Sequence, residues 1–374
     1  MLIKELSARK IKDSRGEYTI EVSANGQRAS SPSGKSTGKY ETPSYHNSLD
    51  WNIKAINSFS IPFKINSFSD LRKIELQIKK IFKLKNKKQF GANALFALES
   101  AILKALAKEK GVELWKIINP KAKKIPIPLG NAIGGGLHSQ NANHPIFQEF
   151  LLIPKSKDIS KNIKIMEKIH AFLKKSLKLK SQNDEGAWNT QLEEERVLQI
   201  LSKFKKKINI GLDIAASTFY NKGSYLYNDK ILSKDEQIDY MNELIKKYSI
   251  IYLEDPMHED DFSGFSKIKG AIVTGDDLTA TNISRLKKAL NTNSIKAIII
   301  KPNQNGSLLE LKKIFSFCKK NKIKTILSHR SGETLDSALA DYAFAFQADY
   351  IKCGIATPYR KGKLLRLVEI NRTI

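Results

Sequence analysis

The chain has 374 residues, 41% of them hydrophobic, and its 64 lysines and arginines against 38 acids give a formal charge of +26. That length exceeds what one ordinary core serves, so a barrel plus a smaller domain is expected, and the composition excludes a disordered or low-complexity chain. No stretch approaches the about 18 consecutive apolar residues of a membrane span.

The first residues, MLIKELSARKIKD, lack the apolar core of a secretory signal, and Cys318 and Cys353 are too few for a disulfide framework; a reducing, cytoplasmic setting fits. KELSARKIKD, YTIEVSA and a segment after the Asn25-Gly26 turn read as a small antiparallel meander. The loop SPSGKSTG, from Ser31 to Gly38, holds the GKS core of a phosphate-binding P-loop. Ala29 stands where that pattern needs a glycine, and Pro43 interrupts any following helix, so we read a Gly/Ser loop able to close over a site. Apolar residues at three and four residue spacing predict helices over Asp70–Phe82 and Ala92–Lys110, the second stopped by Gly111. KAKKIPIPLG, with Pro126 and Pro128 and following Pro120, reads as a linker, which sets domains at 1–124 and 125–374.

Beyond the linker, strands such as FQEFLLI alternate with helices predicted over Asp158–Lys178, Ser233–Lys247 and Ser307–Asn321, the pattern of parallel strands with helical crossovers. Six apolar runs end on residues able to carry chemistry: INIGL on Asp213, SIIYL on Glu254, AIVTG on Asp276, KAIII on Lys301, IKTIL on Ser328 and His329, and ADYI on Lys352. In a barrel of parallel strands the reactive groups collect at the carboxyl ends, so the fold class expected is α/β, with a TIM-type barrel and a smaller α+β domain.

Asp213, Glu254 and Asp276 end three successive strands, and carboxylates gathered so closely repel unless they bind a cation; their hard oxygens suit Mg²⁺. Lys301, beside a metal and a second ammonium at Lys352, should have a lowered pKa and can act as a base; taken alone it could equally pair with a metal-site carboxylate. His329, Arg330 and Ser331 suit an anion. Glu185, in the loop NDEGAW, could serve as a general acid, though a lone loop glutamate is more often solvated. His138, after three glycines and shortly before Gln148 and Glu149, could reach the substrate, though a lone loop histidine is more often simply exposed. The lysines are scattered without aromatic interleaving, and no nucleic-acid-binding motif occurs. We read them as solvated faces, with nucleic acid not a primary partner.

DSRGEYTIEV, PSGKSTG, FGANALFALE, GGGLH, QEF, NDEG, GLDIAAS, LEDP, GDDLTATN, IIIKPNQNGS, SHRSGET and IKCG, in this order, resemble the enolase family from about Ile11 to Gly354. The resemblance implies Mg²⁺-dependent, reversible dehydration of 2-phosphoglycerate to phosphoenolpyruvate. It implies Asp213, Glu254 and Asp276 as metal ligands, joined at a second Mg²⁺ by Ser36, with Lys301 as base and Glu185 as acid. Arg330 and Ser331 would contact phosphate, Lys352 the carboxylate, and Glu149, Gln148 and His138 would support the site. A homodimer would be the family's assembly. Departures are Asn183 for the glycine before the acidic pair, AWNT after it, Lys35 in the closing loop, the segment after Glu41, and TPYRKGKLL in a shortened C-terminal end. The competing readings are proton abstraction from another carboxylate substrate, and a non-catalytic relative whose basic surface binds nucleic acid.

Overall fold

The computed structural model describes residues 1–35, 38–59, 63–139 and 143–374, with the side chain of His138 also left undescribed. The meander forms as the sequence predicts: β1 (Leu6–Lys12), β2 (Tyr18–Ala24) and β3 (Gln27–Ser30) pair antiparallel in order. The helices α1 (Leu71–Ile81) and α2 (Ala92–Lys110) follow, with the C-cap Gly111 of α2 left-handed at φ 62°. α2 is buried along most of its length because it packs on β2 and β3 on one side and on the barrel's edge on the other. The adjoining turn Pro302–Asn305 touches its first residues: at Gly306, a Cβ would meet the backbone of Ala92.

Eight strands close the barrel: β4 (Ile127–Gly134), β5 (Glu149–Pro154), β6 (Ile208–Asp213), β7 (Ile250–Glu254), β8 (Ile272–Gly275), β9 (Ala297–Ile300), β10 (Lys324–Ser328) and β11 (Tyr350–Lys352). β11 pairs back on β4, with Tyr350 opposite Ile127. The predicted helices are present as α3 (Ile159–Ser176), α4 (Lys234–Tyr248) and α5 (Leu308–Lys320). Asp158, Ser233 and Ser307 cap them by accepting backbone N–H groups, which satisfies donors the first turn leaves free.

One expectation is corrected. β5 runs antiparallel to both β4 and β6, so the barrel is not uniformly parallel. Only residues 135–148 connect β4 to β5, and among the described residues of that connection the one helical piece is the short turn Gly136–His138, whereas a parallel return needs a crossover of about a dozen residues or more, usually helical. The reversal puts the start of β5, not its end, on the face where the other strands finish. Gln148 and Glu149 reach the site for that reason.

Beneath that face, Leu129, Leu151, Ile153, Tyr252, Ala297, Ile299, Ile326 and Tyr350 fill the barrel with side chains. The interior is therefore a packed floor under a polar site.

Candidate active site

Above this floor a cavity of about 380 Å³ opens between the barrel mouth and Gly34, Lys35, Gly38, Glu41 and Leu137. Strand register alone places Glu149 opposite Asp213 and Asp213 opposite Glu254, so three carboxylates stand side by side on adjacent strands. Lys352 reaches into them: its Nζ lies 2.8 Å from Asp213 Oδ2, 2.9 Å from Glu254 Oε1 and 3.2 Å from Glu149 Oε2. Burial disfavours its charge, but the three acids outweigh that and hold its pKa well above the lysine range. Burial, and then repulsion from Asp213, pushes Glu254 well up; burial and Glu185 do the same to Glu149. Gln148 Nε2 donates to Asp213 Oδ2 at 3.3 Å, and Tyr252 Oη to Glu254 Oε2 at 2.6 Å.

Lys301 Nζ pairs with Asp276 Oδ2 at 2.5 Å. The expected drop in its pKa is not what this geometry gives. Burial favours the neutral amine, yet Asp276 outweighs burial and holds Lys301 above its ordinary value. The cation pressing on it is Arg330 rather than Lys352. Asp276 is itself aimed by Asp255, whose carboxylate accepts the N–H groups of Asp276 at 2.9 Å and Asp277 at 2.6 Å. Asp255 does this from a left-handed φ of 41°, a costly conformation for a non-glycine residue and one that clusters at functional sites.

Glu185 enters from the loop after α3 and is 3% exposed. Asn183, one of the departures, holds that loop: its Oδ1 accepts the N–H groups of Glu185 and Ala187, each at 3.0 Å. Glu185 Oε2 lies 3.4 Å from Asn131 Nδ2 and 3.5 Å from His329 Nε2. Arg360 Nε donates to His329 Nδ1 at 3.1 Å, which leaves the ring proton on Nε2, facing Glu185. Burial keeps His329 below its usual pKa and therefore neutral. Arg360, fully buried, also donates to the carbonyls of Arg330 and Ser331. The altered C-terminal segment thus supports the site itself, not only loops and an outer surface.

Arg330, lining the same cavity, pairs with Glu41 at 3.3 Å and donates to Asn303 Oδ1 at 3.0 Å. Glu41 also accepts the N–H of Gly38 at 3.0 Å. Ser331 Oγ accepts from Arg15 Nη1 at 3.4 Å, while Arg15 Nη2 holds Ser33 Oγ and the carbonyl of Gly34. Ser33 and Gly332 form a two-way backbone bridge that ties the N-terminal loop to the barrel. Lys35 Nζ spans the mouth to the carbonyl of Leu137 at 2.9 Å. Ser36 lies outside the described residues, and of His138 only the backbone, ending the turn Gly136–His138, is described. The other residues singled out in the sequence line this one cavity, except Glu254, which is fully buried behind it and touches the lining through Lys352.

Arg15, Glu41, Asp255 and Arg360 are the contributors sequence reasoning passed over. Asp255 carried a local signal, a carboxylate beside the already chosen Glu254, and Arg15 lies inside DSRGEYTIEV, one of the motifs that carry the resemblance. Glu41 and Arg360 sit among polar residues with no pattern to mark them.

Among the described residues no three Asp, Glu, His or Cys side chains are arranged to hold a metal ion, because two ammonium groups sit among the carboxylates. The donor set nevertheless fits a hard divalent cation. Every candidate ligand among the described residues is a carboxylate, and Asp276 Oδ1 is buried with no hydrogen-bond partner.

Fold and site together define a barrel enzyme whose cavity is lined by charged side chains of both signs. Residues 122–374 match the family model for the enolase C-terminal TIM barrel domain, and residues 3–118 that for the enolase N-terminal domain. The chain is similar to the enolases of Archaeoglobus fulgidus, 34% identical over 99% of this chain and 97% of that protein, and of Sulfurisphaera tokodaii, 37% identical over 99% and 95%. The enolase of Picrophilus torridus is 33% identical over 100% and 99%. The chain belongs to the enolase family, the phosphopyruvate hydratases.

Proposed function

We propose that the chain interconverts 2-phosphoglycerate and phosphoenolpyruvate, with Lys301 removing the C2 proton and Glu185 protonating the hydroxide that leaves C3. The observation that carries this reading is that Lys301 and Glu185 line the same cavity, with Arg330 and Ser331 beside them. Arg330 offers a planar fork of donors suited to a phosphate, and Ser331 a hydroxyl, which favours a phosphorylated substrate over another carboxylate.

A proton beside a carboxylate is very weakly acidic, and its removal leaves the electron pair on a doubly charged carboxylate. Asp213, Glu254 and Asp276 would hold Mg²⁺, with Ser36 joining a second ion; when bound, the metal supplies Lewis-acid stabilisation of that charge. Lys301 can take the proton only as the free amine. Burial favours that free amine and Asp276 opposes it most strongly, so Asp276, as one of the residues that would hold the metal, would also set whether Lys301 is basic. Lys352, held charged, would meet the substrate carboxylate. His329 would steady Glu185 through Nε2–H, while Gln148, Glu149 and His138 would complete the wall. C3–O cleavage then proceeds as the electron pair returns from the carboxylate, with the Glu185 proton leaving as part of water.

The same reading divides the chain at Lys124 into two domains and expects a cytoplasmic enzyme serving glycolysis and gluconeogenesis, assembled as a homodimer. No helix among the described residues is long and apolar enough to cross a membrane. Ultraviolet detection of phosphoenolpyruvate from 2-phosphoglycerate tests the mechanism. Turnover should require Mg²⁺ and be lost in Lys301→Ala and Glu185→Gln; folded wild-type protein inactive at every Mg²⁺ level would overturn it.

A further inference from the structure

The lysines that look scattered in the sequence are gathered by the fold. Eight segments bound the barrel at the end opposite the active site: 121–126, 155–158, 203–207, 246–249, 267–271, 291–296, 319–324 and 346–349. Together they hold eighteen lysines and two aspartates, Asp158 and Asp349. All eighteen lysines are exposed. Among the described residues only Lys124, Lys247 and Lys267 pair with a carboxylate.

The segments are neighbours in space. Lys155 N donates to the carbonyl of Lys207, Lys324 N to that of Lys296, and Ile127 N to that of Asp349, so the rim is continuous through these strand ends. At one side it dips into a trough of about 590 Å³ lined by Lys124, Lys312, Lys319, Lys322 and Lys324. In the cavity at the opposite end acids outnumber cations, with Asp213, Asp255, Glu259, Asp276 and Asp277 among them beside Lys35, Lys301, Arg330 and Lys352. Solvation of a lysine-rich composition requires no such polarity, and the catalytic chemistry lies at the other end.

We propose that this basal face binds the phosphodiester backbone of duplex nucleic acid, without reading its sequence. None of the exposed large apolar side chains lies in the eight segments. The two aromatics that line the trough, Phe315 and Phe346, have their faces taken up by stacking on each other at 5.0 Å and, for Phe346, on Tyr342, so they present no open ring face for unpaired bases and no anchor for acyl chains. What it offers is a dense, flexible field of ammonium groups. A duplex, with one negative charge per about 1.7 Å of axis, is the fixed polyanion that matches it best.

Fluorescence anisotropy of a labelled duplex of about 20 base pairs, titrated with the full-length protein at stepped salt, tests this. If the five trough lysines each neutralise one phosphate, log K should fall against log salt with a slope of about −4.5. Lys319→Glu, Lys322→Glu and Lys324→Glu together should reduce the slope to about −2 and weaken binding by about tenfold or more. A control carrying Lys4→Glu, Lys64→Glu and Lys108→Glu makes the same charge change on exposed lysines of the N-terminal part and should keep both affinity and slope. Both variants should still dehydrate 2-phosphoglycerate, which separates this proposal from the catalytic one. Absence of salt-sensitive binding, equal loss in the two variants, or tighter binding to phosphatidylserine vesicles than to the duplex would each overturn it.

Discussion

Glu41 occupies the guanidinium that the substrate phosphate would need, so the charge-removing variant Glu41→Gln should bind anions more tightly while being less stable when empty. The pair is 3.3 Å long, with both side chains almost wholly buried. At an effective dielectric near 20, Coulomb's law gives a gross attraction of about 5 kcal/mol, and removing one partner of a buried pair costs about 3–5 kcal/mol. Arg330 keeps Asn303 at 3.0 Å and the glutamine keeps the shape, so the lower end, about 3 kcal/mol, is expected for the empty protein. An anion reaching Arg330 in the wild type must displace Glu41, and in the variant it need not. Recovery of about half to most of that cost tightens the dissociation constant of inorganic phosphate by roughly tenfold to a hundredfold. Calorimetric titration with phosphate, paired with thermal melts with and without it, reads both effects. A variant that melts earlier and binds phosphate no better would refute the reasoning, and would make Glu41 a permanent support for Arg330 rather than its competitor.

Burial holds His170 below its ordinary pKa while its Nε2 contacts the Gly186 carbonyl at 2.8 Å. The unfolded chain therefore takes up a proton near the usual histidine value that the folded chain refuses. The resulting stability is present above that value and lost as pH falls through and below it, and urea unfolding at roughly pH 7.5 and 5.5 should show a smaller pH difference in His170→Gln than in wild type. Burial pushes the thiols of Cys318 and Cys353 up to about 12, so neither should react with an aromatic disulfide reagent at neutral pH until the protein is denatured; fast native labelling would contradict this. At Gly332 an added Cβ would run into the side chains of Asp13 and Ser33. Gly332→Ala should therefore loosen the bridge to the N-terminal loop, costing about 1–3 kcal/mol in denaturant titrations and more in turnover than in stability; an unchanged melting curve and rate would count against that bridge.

The strands ending on Asp213, Glu254, Asp276, Lys301 and Lys352 were legible because a strand buried on both faces writes itself as an unbroken apolar run, and the next residue must then face the mouth. The direction of β5 was not, since FQEFLLI reads the same whichever way it is paired and only the lack of a crossover helix decides. Arg360 escaped notice because its partners, His329 and two carbonyls about thirty residues earlier, are local only in three dimensions. The electrostatic state of Lys301 was misjudged for a related reason: sequence shows which charges exist but not that Asp276 lies closer to the amine than any cation. The lysines hid their arrangement differently, each lying in an unremarkable turn until barrel closure brings the turns to one rim.

Barrel closure pairs β11 with β4, more than two hundred positions apart, and the site draws on both Arg15 and Arg360. A ribosome making this chain thus releases the N-terminal meander and most of the barrel long before any catalytic pocket can exist. Until residues 350–352 emerge, β4 presents an unpaired edge to the cell, the kind of surface chaperones cover and neighbouring chains can capture. Competence arrives late and all at once, and a premature stop before that strand leaves no partial enzyme.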